Sequence, residues 1–220
     1  MSGIVGSKLN IRGSGLVGSL GTDGQHLLSS GAGKTNVFET VAAASAGVTK
    51  ILKTTVSGTS TSAITFNSSY IDSTYDTYQI IGYCKPITDS AEMRLRFLNS
   101  SDAAISTTSY YSWETDIVVN NNTVLHQDQT GEEIELANYD IGNQAAEGQG
   151  LDGKLYFFND SSTPSVSYFR CYNNDIFTGW LPIDSYCCTN ASQQDYGVTF
   201  YLTSGNFQDG SHLTLYGIAK

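Results

Sequence analysis

The stretch Met93-Arg94-Leu95-Arg96-Phe97-Leu98 decides the fold class, because apolar and basic side chains alternate along it. Successive side chains of a β-strand point to opposite faces of a sheet, so a period of two predicts a strand with one buried face. The same period recurs at 198–203 and at 213–218. These three segments predict a sheet that packs one face against a core.

Six further segments between residues 51 and 220 have the composition of strands, and clusters of Asn, Asp, Ser and Gly separate them. They are 61–67, 77–84, 115–119, 151–158, 166–172 and 176–180. No segment in this region has the period of a long amphipathic helix. The pattern predicts an all-β domain over residues 51–220, an antiparallel two-sheet sandwich for which a jelly roll is the best match. The acidic stretch 127–153 is too long for a hairpin turn, and we expect a surface excursion there.

Residues 1–50 differ from the rest of the chain in composition. Eleven of the 22 glycines lie in the first 60 residues, and nine of these lie between Gly3 and Gly33. Each glycine increases the entropy lost on ordering, and the segment has no period that could bury a face. We therefore expect an extended N-terminal arm that becomes ordered only against a neighbouring chain. Within it, Glu39–Gly47 could form a short helix or a small-residue linker.

The formal net charge of −10 is unevenly distributed. Residues 1–60 contain five basic and two acidic side chains, whereas residues 61–220 contain six basic and 19 acidic ones. An acidic body disfavours nucleic acid as a partner, because phosphate binding needs clustered Lys and Arg. A mildly basic arm on an acidic body indicates that the two parts face different surroundings.

Two glycine-rich segments of the arm match the residue spacing of phosphate-binding loops, but they lack other features that such loops require. Gly13-Ser14-Gly15-Leu16-Val17-Gly18 has the G-x-G-x-x-G spacing, but a dinucleotide site needs a strand before it and a helix after it. The glycines at 21 and 24 exclude that helix. Gly31-Ala32-Gly33-Lys34-Thr35 resembles the end of a Walker A loop, but Leu28 stands where the first glycine is required. We therefore expect no nucleotide cofactor.

The residue types of catalytic and metal sites do not form a recognisable pattern. The three histidines lie far apart in the sequence, and there is no G-x-S-x-G motif. Glu132 and Glu133 are adjacent and would point to opposite faces of a strand, so they are a poor pair for glycoside hydrolysis. The sequence predicts a protein that is not an enzyme, with no catalytic residue, no metal site and no cofactor.

The cysteines and the N-terminus predict where the protein is made. Cys84, Cys171, Cys187 and Cys188 include an adjacent pair, which is a poor disulfide framework, and they lack metal-ligand spacing. We expect four buried or half-buried thiols. No apolar run has the length of a signal peptide or a membrane span, so we expect synthesis in a cytoplasm and no membrane insertion.

Two groups of aromatic residues are candidate ligand-binding residues. Tyr110, Tyr111 and Trp113 lie in one strand-like stretch, and Trp180 lies in another. Exposed rings bind sugars and anchor protein interfaces. In the alternative interpretation, which alternation favours, part of each group fills the core of the sandwich.

The arm resembles a segment found in phage fibre and other virion structural proteins. The similar segments begin with G-T-x-G-Q, here Gly21-Thr22-Asp23-Gly24-Gln25, and continue with an aliphatic and hydroxyl stretch, here His26–Ser30. A G-x-G turn follows at Gly31-Ala32-Gly33, and then an aromatic residue, Phe38. The sequence departs from the pattern at His26 and Leu28, where Val and Thr are more usual, and at Phe38, where Trp is common.

The C-terminal segment Ser211–Ile218 carries a second resemblance. It is similar to the S-G-T-I-x-L-Y-G-I ending of many phage surface β-domains, with His212 in place of Gly. Ile64-Thr65-Phe66 and Tyr75-Asp76-Thr77-Tyr78 are similar to the opening strands of those domains. The middle of the chain has no counterpart in these patterns.

The resemblance implies a homotrimer on the virion exterior, assembled in the cytoplasm of the host bacterium. The arm would attach it to other virion proteins of the tail, head or capsid through Lys8, Arg12, Gly21, Asp23, Gly24, Gln25, Gly31, Gly33 and Phe38. Two roles remain open: a short fibre or adhesin whose β domain faces a glycan of the host cell surface, and a capsid decoration (cement) protein whose arm grips the shell. The arm motif and the aromatic residues favour the fibre, whereas the modest length and the absence of a shaft repeat favour the decoration protein.

Overall fold

A computed structural model describes residues 26–28, 37–39, 47–107, 111–119, 123–136, 141–143, 147–156, 161–175, 179–190 and 194–219. These residues form strands, turns and loops, and none of them is helical, so the predicted all-β class is confirmed. The chain divides into two units, residues 1–46 and residues 47–220.

In the first unit, β1 (His26–Leu28) pairs with β2 (Val37–Glu39) in an antiparallel ribbon, with Leu27 opposite Phe38. The motif that resembles phage virion proteins therefore contains two paired strands, and the rest of the predicted arm up to residue 46 lies outside the described residues. Of the proposed assembly residues, Phe38 belongs to β2, and the others lie outside the described residues.

The second unit contains twelve strands in its described part. They are β3 (Val48–Thr55), β4 (Ala63–Phe66), β5 (Thr77–Cys84), β6 (Met93–Leu98), β7 (Tyr111–Val119), β8 (Thr123–Gly131), β9 (Ile134–Glu135), β10 (Gly148–Tyr156), β11 (Val166–Asp175), β12 (Gly179–Thr189), β13 (Gly197–Leu202) and β14 (His212–Ile218). The first of them, β3, begins three residues before the predicted domain start at residue 51.

These strands form two antiparallel sheets. The larger sheet has eight strands in the order β3-β14-β5-β10-β11-β12-β7-β8, and the smaller has four in the order β4-β13-β6-β9. The strand nearest the C-terminus, β14, lies between β3 and β5, so the two ends of the second unit are paired within one sheet.

The apolar core lies between the two sheets. Phe169 of the larger sheet meets Phe200 of the smaller one edge to face, with ring centroids 6.0 Å apart. Phe97 and Tyr111 form a second edge-to-face pair at 5.4 Å. Along β6 and β13 the residues that alternate toward this core are fully or nearly fully buried, as the period of two in their sequences predicts.

A glycine makes room for one of these rings. Gly153 of β10 is opposite Phe169 of β11, and the ring lies over the glycine. A Cβ atom at residue 153 would be 2.0 Å from Cδ1 of Phe169, a distance that no side chain tolerates. The larger sheet therefore packs closely on the core at this point because residue 153 has no side chain.

Tyr78 binds the loop before β5 through hydrogen bonds of its hydroxyl group. Its buried hydroxyl donates a hydrogen bond to the carbonyl oxygen of Asp72 at 2.6 Å and accepts one from the Asp72 amide at 2.8 Å. A hydrogen bond from the Thr74 amide to the Asp72 carboxylate lowers the pKa of that carboxyl. The amide and the carbonyl group of Asp72 are thus both bound by the Tyr78 hydroxyl, which fixes the path of the chain into β5.

One prediction from the sequence is wrong in this unit, and another holds in part. The segment 127–153 was expected to be a surface excursion, but it contains the end of β8, all of β9 and the start of β10, and Ile134, Leu136 and Ile141 are buried in the core. A strand was predicted at 176–180: residues 179–180 belong to β12, which continues to Thr189, and residues 176–178 lie outside the described residues.

Candidate functional site

The outer face of the larger sheet is rich in tyrosine. On β5, β10, β11 and β12, the side chains that point away from the core include Tyr83, Tyr156, Tyr168, Tyr172 and Tyr186. Tyr83 and Tyr172 are each 39% exposed, and Tyr186 is 45% exposed. We call the outward side chains of these four strands the tyrosine face.

A short strip of backbone without a side chain lies on this face at one position, Gly150 of β10. Gly150 of β10 is directly opposite Tyr83 on one side and Tyr172 on the other. These two tyrosines are two strand spacings apart, roughly 9–10 Å between their backbones. A Cβ atom at residue 150 would be 3.7 Å from Cβ of Tyr172, so the strip is narrow on that side. We call it the Gly150 trough.

The position of the Tyr83 ring depends on a second glycine. Gly148 has a φ of 147°, which favours glycine, and a Cβ atom there would be 2.2 Å from the Tyr83 hydroxyl. That hydroxyl donates a hydrogen bond to the carbonyl oxygen of Glu147 at 2.5 Å. Burial raises the pKa of Tyr83, with a smaller contribution from Cys84. The ring therefore lies over Gly148 and is anchored at its tip.

A charged pair orients the tyrosines on the other side of the trough. Arg170 donates two hydrogen bonds to Asp184, Nε to Oδ1 at 2.7 Å and Nη2 to Oδ2 at 2.9 Å, and Tyr168 donates one to Oδ1 at 2.8 Å. The hydrogen bonds from Arg170 hold the pKa of Asp184 below its usual value, against an opposing effect of burial. Burial and the bond to Asp184 raise the pKa of Tyr168 to about 12. Tyr186 stacks beside Tyr168 with ring centroids 5.1 Å apart.

Asp152 adds a polar group beside the trough, two residues along β10 from Gly150. Its Oδ1 accepts a hydrogen bond from the Gln79 amide at 2.8 Å. Asp152 is exposed and lies between Ile81 of β5 and Arg170 of β11. A carboxylate of this kind can accept further hydrogen bonds from hydroxyl groups of a ligand.

The outer face of the smaller sheet is different, because its charged side chains are bound to one another. Arg94 of β6 forms ion pairs with Glu92 and Glu135, and Arg96 forms one with Glu133 at 2.8 Å. Tyr201 of β13 donates a hydrogen bond to Glu133 as well. These residues are half-buried, so the network covers the outer side of β6 and of the strands beside it.

The structure places the predicted ligand-binding aromatics in different settings. Tyr111 is fully buried, and its hydroxyl accepts a hydrogen bond from the Phe97 amide at 2.8 Å, so this ring belongs to the core and is not a ligand platform. Trp113 lies opposite Cys187, and Trp180 lies opposite Asn174, on neighbouring strands. Tyr110 lies outside the described residues. The sequence did not identify the tyrosine face.

One alternating pattern in the sequence could have identified part of the tyrosine face. Tyr168, Arg170 and Tyr172 alternate with Phe169 and Cys171, so a strand at 166–172 with a buried Phe exposes both tyrosines on one side. The position of β10 between this strand and β5 depends on the order of strands in the sheet, which local patterns do not specify.

The cysteines do not form a reactive centre in the described residues. Cys84, Cys171 and Cys187 are buried free thiols, as predicted, and burial raises the pKa of each. Cys188 is exposed on the tyrosine-face side of β12, which corrects the expectation that all four would be buried or half-buried. Within the described ranges, no three His, Cys, Asp or Glu side chains are grouped so that they could hold a metal ion.

Comparisons with known proteins identify no family. No protein-family model matches the chain, and no curated protein sequence matches it. A crystal structure of a candidate pore-forming toxin from Bacteroides vulgatus aligns with 7% identity and a TM-score of 0.09, over 77% of this chain and 58% of the toxin chain. A similarity this low carries no argument about fold or function. In the part of the chain that the structure describes, no helix is long and apolar enough to cross a membrane.

Proposed function

We propose that this chain is a non-enzymatic protein of the bacteriophage particle surface, a short trimeric fibre or adhesin whose β domain faces the host. The observation that carries the proposal is the division of the chain into a glycine-rich N-terminal unit and a β domain with an exposed tyrosine face. The first unit contains the segment that resembles phage virion proteins and would attach the chain to the particle. The second offers a surface suited to binding.

We also propose that the β domain is a jelly roll with two inserted hairpins. Eight strands, β3 to β6, β9, β10, β13 and β14, supply the frame. Numbered one to eight along the chain, they have the order 1-8-3-6 in one sheet and 2-7-4-5 in the other, with antiparallel neighbours, which is how two Greek keys wind into a double sheet. The pairs β7–β8 and β11–β12 extend the first of these sheets beyond β10.

A capsid decoration protein is the second candidate. The charge distribution favours it, because residues 1–60 carry a net +3 and residues 61–220 a net −13. A basic arm would bind an acidic shell, and the acidic domain would project into solvent. In this role the tyrosine face would have no host ligand.

Electron microscopy of immunogold-labelled particles separates these roles. The particles are those of the phage whose genome encodes the chain, and the antibody is raised against residues 47–220. Label at the tail or at projecting fibres supports the fibre, and label over the icosahedral shell supports decoration. Particles without label contradict both roles.

Adsorption gives a functional test of the fibre role. Purified full-length chain should compete with phage for host cells and reduce the adsorption rate. The variant Tyr172→Ala should compete less well, whereas Tyr70→Ala should compete as the unaltered chain does. Tyr70 is a matched control because it is 38% exposed and lies in the loop before β5, at the opposite end of that strand from Tyr83.

A further inference from the structure

We propose that the Gly150 trough of the tyrosine face binds a neutral oligosaccharide. This inference rests on the proposed function and specifies the ligand class for it. Three observations lead to it: the shape of the trough, the orientation of its tyrosines and the charge of the surrounding face.

The shape of the trough suits a flat ring. The backbone of β10 forms its floor at Gly150, and exposed tyrosines stand on both neighbouring strands at the same register position. The apolar faces of sugar rings stack on aromatic side chains, which supply a large contact area at a low cost in conformational entropy. The space over Gly150 is one that a larger side chain would fill.

Two tyrosines of the face, one of them a wall of the trough, are held in place before any ligand binds. Tyr83, which flanks Gly150, is anchored through the Glu147 carbonyl oxygen. Tyr168, four residues from Tyr172 on β11, is anchored through Asp184, which is itself bound by Arg170. Side chains that are already ordered lose little freedom on binding, so more of the contact energy is available for affinity. Preorganisation of this kind distinguishes a binding surface from a set of unconstrained surface tyrosines.

The charge of the tyrosine face indicates a neutral ligand. Its described charged side chains are Asp152, Lys154, Arg170 and Asp184, which sum to zero in a chain with a net charge of −10. Arg170 is bound in a bidentate pair by Asp184, so it is not open to a carboxylate or phosphate ligand. Asp152, beside the trough, accepts hydrogen bonds from hydroxyl groups and repels anions. The face therefore favours hydroxyl-rich, uncharged ligands over acidic polysaccharides.

Affinity electrophoresis of the full-length chain tests this proposal. The acidic chain migrates toward the anode in native gels, and a polysaccharide immobilised in the gel slows a protein that binds it. The neutral probes are dextran, mannan, galactan and glycol chitin, and the anionic probe is alginate. We expect retardation by at least one neutral probe and none by alginate.

Two variants assign any retardation to the trough. Gly150→Leu fills the strip without an expected effect on folding, because a Cβ atom there makes ordinary contacts and the residue has no positive φ. Tyr172→Ala removes one wall. Both should lose at least tenfold in affinity for the neutral probe, and Tyr70→Ala should retain it. Thermal unfolding of each variant checks that the fold is intact.

Four outcomes overturn the proposal: no retardation by any neutral probe, retardation by alginate alone, retention of binding in Gly150→Leu, or a wild-type oligomer that Tyr172→Ala dissociates in sedimentation velocity. The last outcome would make the face an interface between copies of the chain. Failure here leaves immunogold labelling of particles unaffected. Conversely, unlabelled particles would contradict the proposed function without bearing on sugar binding.

Discussion

The outer faces of the two sheets contain the same kinds of side chain, arginine, carboxylate and tyrosine, in opposite arrangements. On the smaller sheet, Arg94 and Arg96 bind three glutamates and Tyr201, and the network covers the outer side of β6 and of the strands beside it. On the larger sheet, a single Arg170–Asp184 pair supports tyrosine rings that remain exposed. The first face uses its polar groups for its own stability, and the second leaves its aromatic rings exposed, as the proposed binding role requires.

The strongest test of this contrast is the loss of one arginine from each face. Arg94→Ala leaves Glu92 and Glu135 without their cation in a half-buried site, and should lower the free energy of unfolding by about 2–4 kcal/mol. Arg170→Ala should lower it much less, because exposed pairs are screened by solvent. The Arg94 side chain is 12% exposed and that of Arg170 is 46% exposed. Urea unfolding followed by circular dichroism measures both, and equal losses would contradict the contrast.

Removal of one hydroxyl from each face should give a smaller difference. Tyr201→Phe loses the bond to Glu133 but keeps the ring, over which Arg96 lies at 5.2 Å from the centroid. We expect a loss of about 1–2 kcal/mol, because the accepting carboxylate is charged and half-buried. Tyr168→Phe should lose about 0.5–1 kcal/mol, since its partner Asp184 keeps Arg170. The same urea series provides the comparison, and a larger loss for Tyr168→Phe would reverse the ranking.

Alkaline titration examines the tyrosine face alone. The pKa of Tyr168 is raised to about 12, above the ordinary value of about 10, so its contribution to stability is complete below about pH 10 and is lost as the pH rises through about 12. Asp184→Asn should lower the pKa of Tyr168, because the phenolate would no longer face a carboxylate. Ultraviolet absorbance of tyrosinate, with Tyr168→Phe subtracted, follows this one group. An unchanged pKa in Asp184→Asn would show that burial alone raises it.

The smallest change in the free energy of unfolding is expected from the Arg170–Asp184 pair at acid pH. Arg170 holds the pKa of Asp184 below its ordinary value, so the stability from this pair is present above about pH 4 and is lost as the pH falls through the lowered pKa. Because solvent screens the pair, the loss should be a minor part of the total acid destabilisation. Comparison of unfolding free energies for the wild type and Asp184→Asn across this range isolates it. An acid loss as large as that caused by Arg94→Ala would contradict the assignment of the pair to an exposed surface.

Local sequence patterns predicted the strands in which alternation is regular. Residues 77–84 and 93–98 have the predicted bounds as β5 and β6, and in β6 a buried apolar face alternates with outward Arg94 and Arg96. β12 was mostly missed because Pro182 interrupts a pattern that is otherwise typical of a strand. Its proline is accommodated because the register with β7 begins at Ile183, so no hydrogen bond to that strand is required at residue 182.

The candidate site was less predictable than the fold. Alternation places Tyr111 on one face of β7 but does not say which face is buried, and the residue proved to be part of the core. Tyr83 and Tyr172 are far apart in the sequence, and they flank Gly150 only because β10 pairs with both of their strands. Long-range register determines such a site, and no local signal in a single sequence contains it.

The position of β14 between β3 and β5 has a consequence for the synthesis of the protein. The larger sheet cannot be completed until residues 212–218 have left the ribosome, since both neighbours of β14 are made long before it. Until then β3 and β5 have exposed edges, which are sites of aggregation. Pairing between strands so distant in sequence is also slow, because a long loop must close before the contacts form. A growing chain of this protein should therefore depend on chaperones until its last strand is inserted.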